Sequence, residues 1–350
     1  MSLISIVLVN YNTPDDTIEC IDSLLSNIDL DYFITVIDNS NNDDSLNKIT
    51  NWISGKYKPQ FTIPELIAGN ISGKNPESFQ VYHSENPHAF DDKITYQQKP
   101  PKLTFIKNKL NVGFANANNI GITYSGLFNP TYYWLLNNDT VINKSTLPAL
   151  IHHYNQLIQQ GSKVGLIGSK ILFYKNPEII QSVGNRFNYL TTKNYPVGLY
   201  KKDSPEFIVN VKVDYPYGAS LFMHSNYISD VGLMCTDYFL YFEELDWVIR
   251  GKKAGYKISV CLNSSVFHKQ GIATGKSITQ KKLPAFIACL MYSNLLKFYL
   301  KFYPWLYPVA LLKLFTKMVI NLFKLNYKEA LLILKIMFGF RNCTFYKNTD

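Results

Sequence analysis

The sequence predicts an α/β protein with a mixed sheet flanked by helices, followed by basic amphipathic helices. Two observations predict the sheet: short apolar runs alternate with helical patterns, and each apolar run stops at Asn or Asp. The charge distribution predicts the helical tail. Residues 281–350 contain eleven Lys or Arg and two acids, so they carry the entire formal net charge of +9 of the 350-residue chain.

The first three predicted elements form one strand-helix-strand unit. Ile4–Asn10 is an apolar run typical of a buried strand. Thr13–Asn27 has a Thr cap, Pro14 in its first turn and apolar residues at helical spacing. Phe33–Asp43 is a second apolar run that ends in polar residues. Strands that are apolar throughout are covered on both faces, so the unit predicts a parallel, doubly wound sheet.

Two more strands are predicted further along. Leu103–Asn108 precedes Asn111–Ile122, which turns through Gly113 into a helix, and Tyr132–Asp139 is the fourth candidate strand. Because parallel strands end at the same edge of a sheet, we expect their terminal Asn and Asp side chains to form one polar floor. Open α/β sheets bind their ligands at this edge.

The end of the fourth strand, Asn137, Asn138 and Asp139, has two interpretations. Asn and Asp bond to their own backbone in turns, so a simple turn explains the stretch. Alternatively, Asp139 is a hard oxygen ligand for a divalent ion. These three residues leave both interpretations open.

The domain organisation follows from composition and pattern. With 47% hydrophobic residues, the chain has enough apolar material for one large or two ordinary domains. We expect a main domain at 1–280, with halves 1–140 and 141–280, and a helical tail at 281–350. The segment at about 56–102 is rich in Pro, Asn, Lys and Gln and lacks periodicity. It is interpreted as an insertion, either an acceptor-facing lid or hairpin or a tolerated surface excursion.

Cysteine spacing and the N-terminal stretch both favour a reducing cytoplasm. The five cysteines are scattered without a close pair, which favours free thiols over a zinc site or a disulfide framework. They are Cys20, Cys235, Cys261, Cys289 and Cys343. The stretch MSLISIVLVNYN has no basic region and no small-residue cleavage site, so we expect a first strand and not a signal peptide.

The second half contains a cluster of acids. A turn at Gly218 precedes an apolar stretch, and the aromatic run YFLYF then leads to Glu243, Glu244 and Asp246. A helix is predicted from Glu244, with Arg250 one turn after Asp246 as a local ion pair. Acids in a first helical turn are favoured by the helix dipole, which explains them without any function. A carboxylate at the edge of a pocket is also a candidate general base.

The tail predicts a surface helix. Lys313, Lys317, Lys324, Lys328 and Lys335 are spaced 4, 7, 4 and 7 residues apart, which places them on one face of a continuous helix. Lysines, Pro304 and Pro308 interrupt the apolar windows before the roughly 18–20 residues that a membrane span requires. We therefore expect the tail to lie on an anionic membrane surface without crossing it. The alternative is a solvated face of helices packed on the main domain. A nucleic-acid partner is not expected, since the stripe lacks interleaved stacking residues.

The order of these motifs resembles family 2 glycosyltransferases of the GT-A fold. The motifs are SIVLVNYN, VIDNSNND, NVGFANANNIGI, WLLNNDT, YGASLFM, the stretch from VGLM to AGYK, and VFHKQG. They are most similar to a bacterial rhamnosyltransferase-like branch of surface-polysaccharide synthesis. The resemblance covers Ser2 to about Gly271 apart from the insertion, and no single motif carries it alone.

The resemblance implies roles for individual residues in the nucleotide half. Asp38 matches the acid that pairs with the nucleotide base, Gly113 and Asn119 match a loop and helix start close to the nucleotide and sugar, and Asp139 matches a DXD-type metal ligand. Asn137 replaces the first acid of that motif, and His268 matches a distal metal ligand, so Mg²⁺ or Mn²⁺ is the expected cofactor. The implied nucleotide-sugar-binding residues are Asn10, Asp38, Asn39, Gly113, Asn119, Asn137 and Asn138.

The resemblance also implies the reaction. Glu244 matches the catalytic base, with Glu243 as the open alternative, and attack of an acceptor hydroxyl would invert the anomeric centre. No QxxRW element is present in the sequence, which favours a non-processive enzyme. The donor is expected to be dTDP-rhamnose or a UDP-sugar. The expected acceptor is a polyprenyl-diphosphate-linked saccharide at the cytoplasmic face of a bacterial inner membrane, for O-antigen, capsule or another surface polysaccharide.

Rival functions are weighed by the motifs they need. A Rossmann oxidoreductase or methyltransferase needs a Gly-rich loop after the first strand, and VNYNTPDD has no glycine. A sugar nucleotidyltransferase needs a Gly- and Arg-rich loop at the same place. The remaining alternative is a non-catalytic membrane scaffold or saccharide-binding protein in which Asn137 marks a decayed site.

Overall fold

The computed structural model describes residues 2–74, 76, 79–84, 99–204, 211–269, 284–340 and 342–343. The strands are β1 (Ile4–Asn10), β2 (Tyr32–Asp38), β3 (Gln80–Ser84), β4 (Leu103–Asn108), β5 (Tyr132–Asn137), β6 (Thr140–Ile142), β7 (Val164–Phe173), β8 (Ile180–Ser182), β9 (Asn185–Asn188), β10 (Lys193–Pro196), β11 (Ser220–His224) and β12 (Lys257–His268). The helices are α1 (Pro14–Asn27), α2 (Asp44–Ile53), α3 (Glu65–Ala68), α4 (Phe114–Gly126), α5 (Thr146–Gln159), α6 (Ser225–Val231), α7 (Glu243–Lys253), α8 (Ala285–Phe302), α9 (Tyr307–Phe323) and α10 (Tyr327–Met337).

One mixed sheet organises the described part of the chain. Its ten strands run in the order β3-β4-β2-β1-β5-β11-β7-β12-β6, with β8 paired to β7. The first five of these are parallel to one another, and β11 lies antiparallel between β5 and β7. Strands β9 and β10 form a separate antiparallel hairpin. The predicted α/β fold, a mixed sheet flanked by helices, is confirmed.

The register of the sheet places its polar strand ends together. Asn10 lies opposite Asp38, and Val9 lies opposite Asn137, so β1, β2 and β5 end at one edge. The apolar side chains of these strands are buried in two clusters, one under α1, α2 and α5 and the other under α4, α7 and α8. Coverage of both faces explains why the strands are apolar throughout.

The segment at about 56–102 is not only an excursion. It supplies the four-residue helix α3 and the strand β3, which pairs parallel with β4 at the edge of the sheet. Because β3 is part of the main sheet, this part of the segment is neither a lid nor a surface loop, and the interpretation is wrong for it. Residues 85–98 of the segment lie outside the described residues.

The prediction that five lysines of the tail form a stripe on one helix face is wrong. Helix α9 ends at Phe323, the chain reverses at Leu325 with a positive φ of 56°, and α10 begins at Tyr327. A single lysine face requires one continuous helix, and this turn separates the first lysines from the last. Lys313 and Lys317 lie on α9, Lys324 follows its end, and Lys328 and Lys335 lie on α10.

The tail is also joined to the main domain. Leu296 and Phe298 of α8 lie in the same buried cluster as Leu245 and Trp247 of α7. Trp247 is fully buried and donates to Gly232 O at 2.8 Å, so it is a core residue that joins α7 to the loop after α6. The predicted pair of Asp246 and Arg250 is present at 2.7 Å.

One helical stretch of the tail has the length and composition of a membrane span. Within the described residues, Pro304–Phe323 is 20 residues long with a mean hydropathy of 1.5, and little of it is buried. The expectation that no window reaches spanning length is therefore wrong. Pro304 and Pro308 lie in first helical turns, where proline is tolerated, and the stretch accommodates its two lysines.

The cysteine expectation is wrong for one pair. Cys289 of α8 and Cys343 form a disulfide, with their Cα atoms 5.6 Å apart, although 54 residues separate them in sequence. The spacing of cysteines along the chain could not predict this bond, because the packing of α8 to α10 brings the two residues together. Cys20, Cys235 and Cys261 are free thiols, as expected.

Candidate active site

A cavity of about 920 Å³ opens at the carboxyl ends of β1 and β5. The β9–β10 hairpin, the loop before α7 and the start of α8 complete its walls. The structure brings these predicted site residues to the cavity wall: Asn39, Gly113, Asn137, Asn138, Asp139, Glu243, Glu244, His268 and Lys313. Asn10, Asp38 and Asn119 are not among its lining residues.

Asp139 and His268 form the centre of the predicted metal site. Asp139 Oδ1 lies 3.1 Å from His268 Nε2, and Asn137 Nδ2 lies 3.4 Å from the same nitrogen. Gln181 Oε1 lies 3.0 Å from His268 Nδ1. An amide oxygen only accepts, so it fixes the proton on Nδ1 and leaves Nε2 of a neutral ring free, the form that binds metals.

This geometry fits a cation but provides few ligands for a metal. With Nε2 unprotonated, two acceptors lie 3.1 Å apart, and a second proton or a metal ion is needed to relieve their repulsion. Among the described residues, no group of three or more His, Cys, Asp or Glu is arranged to hold a metal ion. Asp139 and His268 could thus supply two ligands to a metal ion, a number that suits Mg²⁺ when phosphate oxygens and water supply the rest.

The charges around Asp139 favour its ionised form. Burial is the largest effect and raises the pKa of Asp139. When His268 carries a second proton, its charge and hydrogen bond, together with a backbone hydrogen bond and the charge of Lys269, outweigh burial, so the net pKa of Asp139 is lowered. Lys269 N donates to Asp139 O at 3.0 Å, and Lys269 Nζ pairs with Asp16 and Glu19 of α1. Helix α1 therefore anchors the residue that follows His268.

The predicted role of Asp38 needs correction. Asp38 is fully buried, and its carboxylate pairs with Lys107 Nζ at 2.9 Å and accepts from Asn10 Nδ2 at 2.8 Å and Ser40 Oγ at 2.7 Å. The carboxylate is bonded to neighbouring residues and does not face the cavity. Asn10 belongs to the same network, since its Oδ1 accepts from Thr17 Oγ1. Both residues hold the strand ends in place.

Asn119 is likewise structural. Its amide donates to Met234 O at 2.9 Å and accepts from Met234 N at 3.0 Å, which ties α4 to the loop after α6. Gly113 does line the cavity, but its missing side chain serves a protein contact: a Cβ there would lie 2.5 Å from Phe239 O. Its φ of 85° also favours glycine.

The remaining amides of the strand ends are engaged too. Asn39 Nδ2 donates to Asn111 Oδ1 at 2.8 Å, and Asn138 Nδ2 donates to Thr13 Oγ1 at 2.7 Å and Thr17 Oγ1 at 2.8 Å. Thr13 makes no capping bond to α1 through its side chain, contrary to expectation. Tyr11 and Asn111, which sequence reasoning did not single out, line the cavity beside Asn39.

A left-handed turn delivers the two glutamates. Tyr241 and Phe242 have φ values of 73° and 79°, an uncommon conformation for large side chains, and α7 begins at the next residue. Asn294 of α8, itself buried, donates to Leu240 O at 2.9 Å and Tyr241 O at 3.0 Å. The tail helix thus holds the strained turn. Asn294 was missed because one asparagine inside an apolar helix gives no pattern.

The two glutamates differ in access. Glu243 is 1% exposed, and its Oε2 has no hydrogen-bond partner among the described residues. Glu244 is half-buried, and its Oε1 lies against Gly218, where an added Cβ would be 1.9 Å away. A glycine at 218 is therefore what lets Glu244 sit beside the cavity wall. The geometry favours Glu244 as the carboxylate that a ligand can reach.

Burial governs the titration of both glutamates. It raises the pKa of Glu243 well above the ordinary value, and the neighbouring Glu244 charge adds to this rise. Burial also raises the pKa of Glu244. A carboxylate with a raised pKa is a stronger base than usual, which suits proton removal at neutral pH.

No protein-family model matches the sequence. The chain is similar to a glycan-biosynthesis hexosyltransferase. It is 24% identical over 172 residues to the low-salt glycan biosynthesis hexosyltransferase Agl10 of Haloferax volcanii, a match that covers 49% of this chain and 53% of that protein. The chain thus spans about half the length of this relative.

Among solved structures, the crystal structure of S. aureus TarS overlaps 85% of this chain and 44% of its own, with 12% identity and a TM-score of 0.45. An overlap this loose does not bear on function.

Substitution of Glu243 by Gln should stabilise the protein in a pH-dependent way. Because the pKa of Glu243 is higher in the folded protein, the unfolded chain ionises first as pH rises, and folding loses free energy until the folded carboxyl ionises. Glu243→Gln removes this loss, so its free energy of unfolding should exceed that of wild type at about pH 8 and approach it near pH 4. Urea denaturation at both pH values measures the difference.

The matched control for this prediction is Glu65→Gln, which removes an exposed carboxylate. It should change the unfolding free energy little at either pH. A Glu243→Gln variant that is no more stable than wild type at the higher pH would contradict the assigned cause.

Proposed function

We propose that the protein is a glycosyltransferase that moves a sugar from a nucleoside-diphosphate sugar to an acceptor hydroxyl in glycan biosynthesis. One observation carries this proposal: a single cavity at the carboxyl edge of the parallel strands contains both the Asp139–His268 pair and Glu244 beside Gly218. A cation-binding pair and an accessible base are the two groups that such a transfer needs. The similarity to a glycan-biosynthesis hexosyltransferase supports the same reaction class.

The proposed step is a direct displacement. Glu244 accepts the proton of the acceptor hydroxyl, and the hydroxyl oxygen bonds to the anomeric carbon. At the same time, the bond from that carbon to the diphosphate breaks. The electron pair of this bond leaves with the nucleoside diphosphate, and the anomeric configuration inverts. A divalent ion held by Asp139 and His268 would offset the negative charge that develops on the leaving diphosphate.

The finer assignments belong to the same proposal. Asn137 in place of an acid leaves Asp139 as the sole carboxylate of the motif, so phosphate oxygens complete the ligand set of Mg²⁺ or Mn²⁺. The motif order supports an inverting, non-processive enzyme of the rhamnosyltransferase-like branch, with dTDP-rhamnose or a UDP-sugar as donor. The proposed acceptor is a polyprenyl-diphosphate-linked saccharide.

We also propose that the protein works as a peripheral enzyme at the cytoplasmic face of a bacterial inner membrane. The α9–α10 surface exposes large apolar side chains, among them Leu312, Phe315, Phe323, Leu331, Phe338 and Phe340. Lys324, Lys328 and Lys335 are exposed beside them. Lys313, near the middle of the Pro304–Phe323 stretch, donates to Thr192 O at 2.8 Å. A helix whose middle contacts the main domain supports an interfacial position over a span.

Nucleotide binding tests the donor site. Calorimetric titration with UDP, dTDP, GDP and CMP, with and without Mn²⁺, should find one nucleotide whose binding needs the ion. Asp139→Ala should weaken that binding about tenfold or more, because it removes the carboxylate ligand. The control Asp29→Asn removes an exposed carboxylate and should bind as wild type. Metal-dependent binding that survives Asp139→Ala would overturn the metal site.

Turnover tests the base. Glu244→Gln should keep the nucleotide affinity and lower turnover by about 10²- to 10⁴-fold, the usual contribution of a general base. Because burial raises the pKa of Glu244, wild-type turnover should fall with decreasing pH through a pKa above the ordinary glutamate value. Glu243→Gln is the matched control and should retain more activity. A collapse in Glu243→Gln alone would move the base by one residue.

Vesicle binding tests the membrane surface. Replacing Lys324, Lys328 and Lys335 by Gln should weaken binding to phosphatidylglycerol vesicles by up to about 100-fold, at roughly 1 kcal/mol per lysine. The control replaces three exposed lysines elsewhere, Lys56, Lys58 and Lys109. Equal losses in both triple variants, measured by co-sedimentation, would place the membrane surface elsewhere.

A further inference from the structure

The cavity contains a second charged group that the proposed transfer step does not use. Lys313 of α9 and Lys193 at the start of β10 both line it, together with Thr192. Lys313 was predicted to face a membrane, but its Nζ points into the β9–β10 hairpin and donates to Thr192 O at 2.8 Å. Two cations and a hydroxyl therefore meet on one wall of the cavity.

These two lysines have no carboxylate partner among the described residues. The charges that face Lys313 are those of Lys317 and Lys193, which lower its pKa further after burial has lowered it. The buried lysines of the described residues are paired with carboxylates, Lys107 with Asp38 and Lys170 with Asp203. The half-buried Lys102 and Lys297 donate to backbone carbonyl oxygens instead. A half-buried cation without a counter-charge is costly, so this wall favours an anion from outside the protein.

Thr192 is an independent sign of a ligand. It is 5% exposed, and its Oγ1 has no hydrogen-bond partner within the described residues. Its φ of 54° is also unusual for a β-branched residue. A buried hydroxyl left unpaired beside two lysines is a ready donor for an anionic oxygen.

The anion is not the diphosphate of the donor. In the proposed function that group lies at Asp139, a carboxylate, and needs a metal ion between the two negative charges. The cavity wall formed by Lys313, Lys193 and Thr192, the lysine wall, contains no acid, so an anion can bind there without a metal ion. Apolar side chains of α8, Phe286, Ile287 and Met291, line the same cavity. The features of this part of the cavity fit a ligand that joins an anionic group to an apolar one.

We propose that Lys313, Lys193 and Thr192 form a subsite for a phosphate or diphosphate group of the acceptor. The inference rests on the proposed function and assigns the residues that bind the phosphate of its lipid-linked acceptor. Lys313 is thereby a substrate-binding residue of the cavity and not part of the membrane-facing surface.

Farnesyl diphosphate, titrated into the full chain in the presence of EDTA, tests this subsite. EDTA removes metal-dependent binding at Asp139, so the remaining affinity reports the lysine wall. Lys313→Gln and Lys193→Gln should each weaken binding about tenfold, the usual scale for a lost charge-assisted hydrogen bond. The control Lys56→Gln removes an exposed lysine outside the tail and should bind as wild type. Farnesol should bind all four proteins alike.

Several results would overturn the subsite. Unchanged affinity in both cavity variants would do so, as would an equal loss in Lys56→Gln, because an equal loss would indicate a general attraction to positive charge. If the cavity variants weakened binding to phosphatidylglycerol vesicles and left farnesyl diphosphate binding intact, the anion would be a lipid headgroup. Lys193 is exposed, so Lys193→Gln keeps the test valid if Lys313→Gln fails to fold.

The test separates this subsite from the proposed function. Metal-dependent nucleotide binding that is lost in Asp139→Ala supports the donor site whatever the lysines do. If that binding holds and farnesyl diphosphate fails to bind, only the subsite is wrong. If nucleotides fail to bind while lysine-dependent farnesyl diphosphate binding holds, the transfer reaction is wrong and the anion site stands.

Discussion

The burial of two adjacent carboxylates, Glu243 and Glu244, is the constraint on which the site depends. Two negative charges in a low dielectric repel each other and lose their hydration, so the fold must compensate. The first turn of α7 provides a favourable dipole. Asn294 of α8 holds the left-handed turn that aims the pair, and Gly218 leaves room for the Glu244 carboxylate. The two carboxylates are thus positioned by elements far apart in sequence.

The polar residues at the strand ends, on the other side of the cavity, differ from the glutamates because most of them have fixed partners within the protein. The Asp38 carboxylate and the side-chain amides of Asn39 and Asn138 bond to neighbours within the protein, which leaves Asp139 as the carboxylate that faces a ligand from this edge. The register explains the difference: Asp38 lies opposite Lys107 in the pairing of β2 with β4, so a counter-ion is built into the sheet. A buried acid with a fixed cation holds structure, while one beside a histidine remains able to share a cation.

Local patterns predicted most of the fold, and contacts between distant segments explain the failures. Apolar runs bounded by Asn and Asp located β1, β2, β4 and β5, and capping signals located α1. The lysine stripe failed because helical spacing is informative only while a helix continues, and the chain reverses at Leu325. The same limit applies to the disulfide of Cys289 and to the ion pair of Asp38. Asp139 and Glu244 were singled out as acids close to the ends of apolar runs, and His268 was singled out by the order of the motifs.

The tail helices link the cavity to the surface of the protein. Asn294 of α8 reaches the turn before the glutamates, and Lys313 of α9 reaches the cavity wall, so both helices are needed to complete the site. Helix α9 and the helix that follows it, α10, also expose large apolar side chains. In the proposed function, an acceptor whose apolar part stays at that surface would present its phosphate to the lysines and its sugar to Glu244, because α9 contributes both to the exposed apolar surface and to the cavity wall.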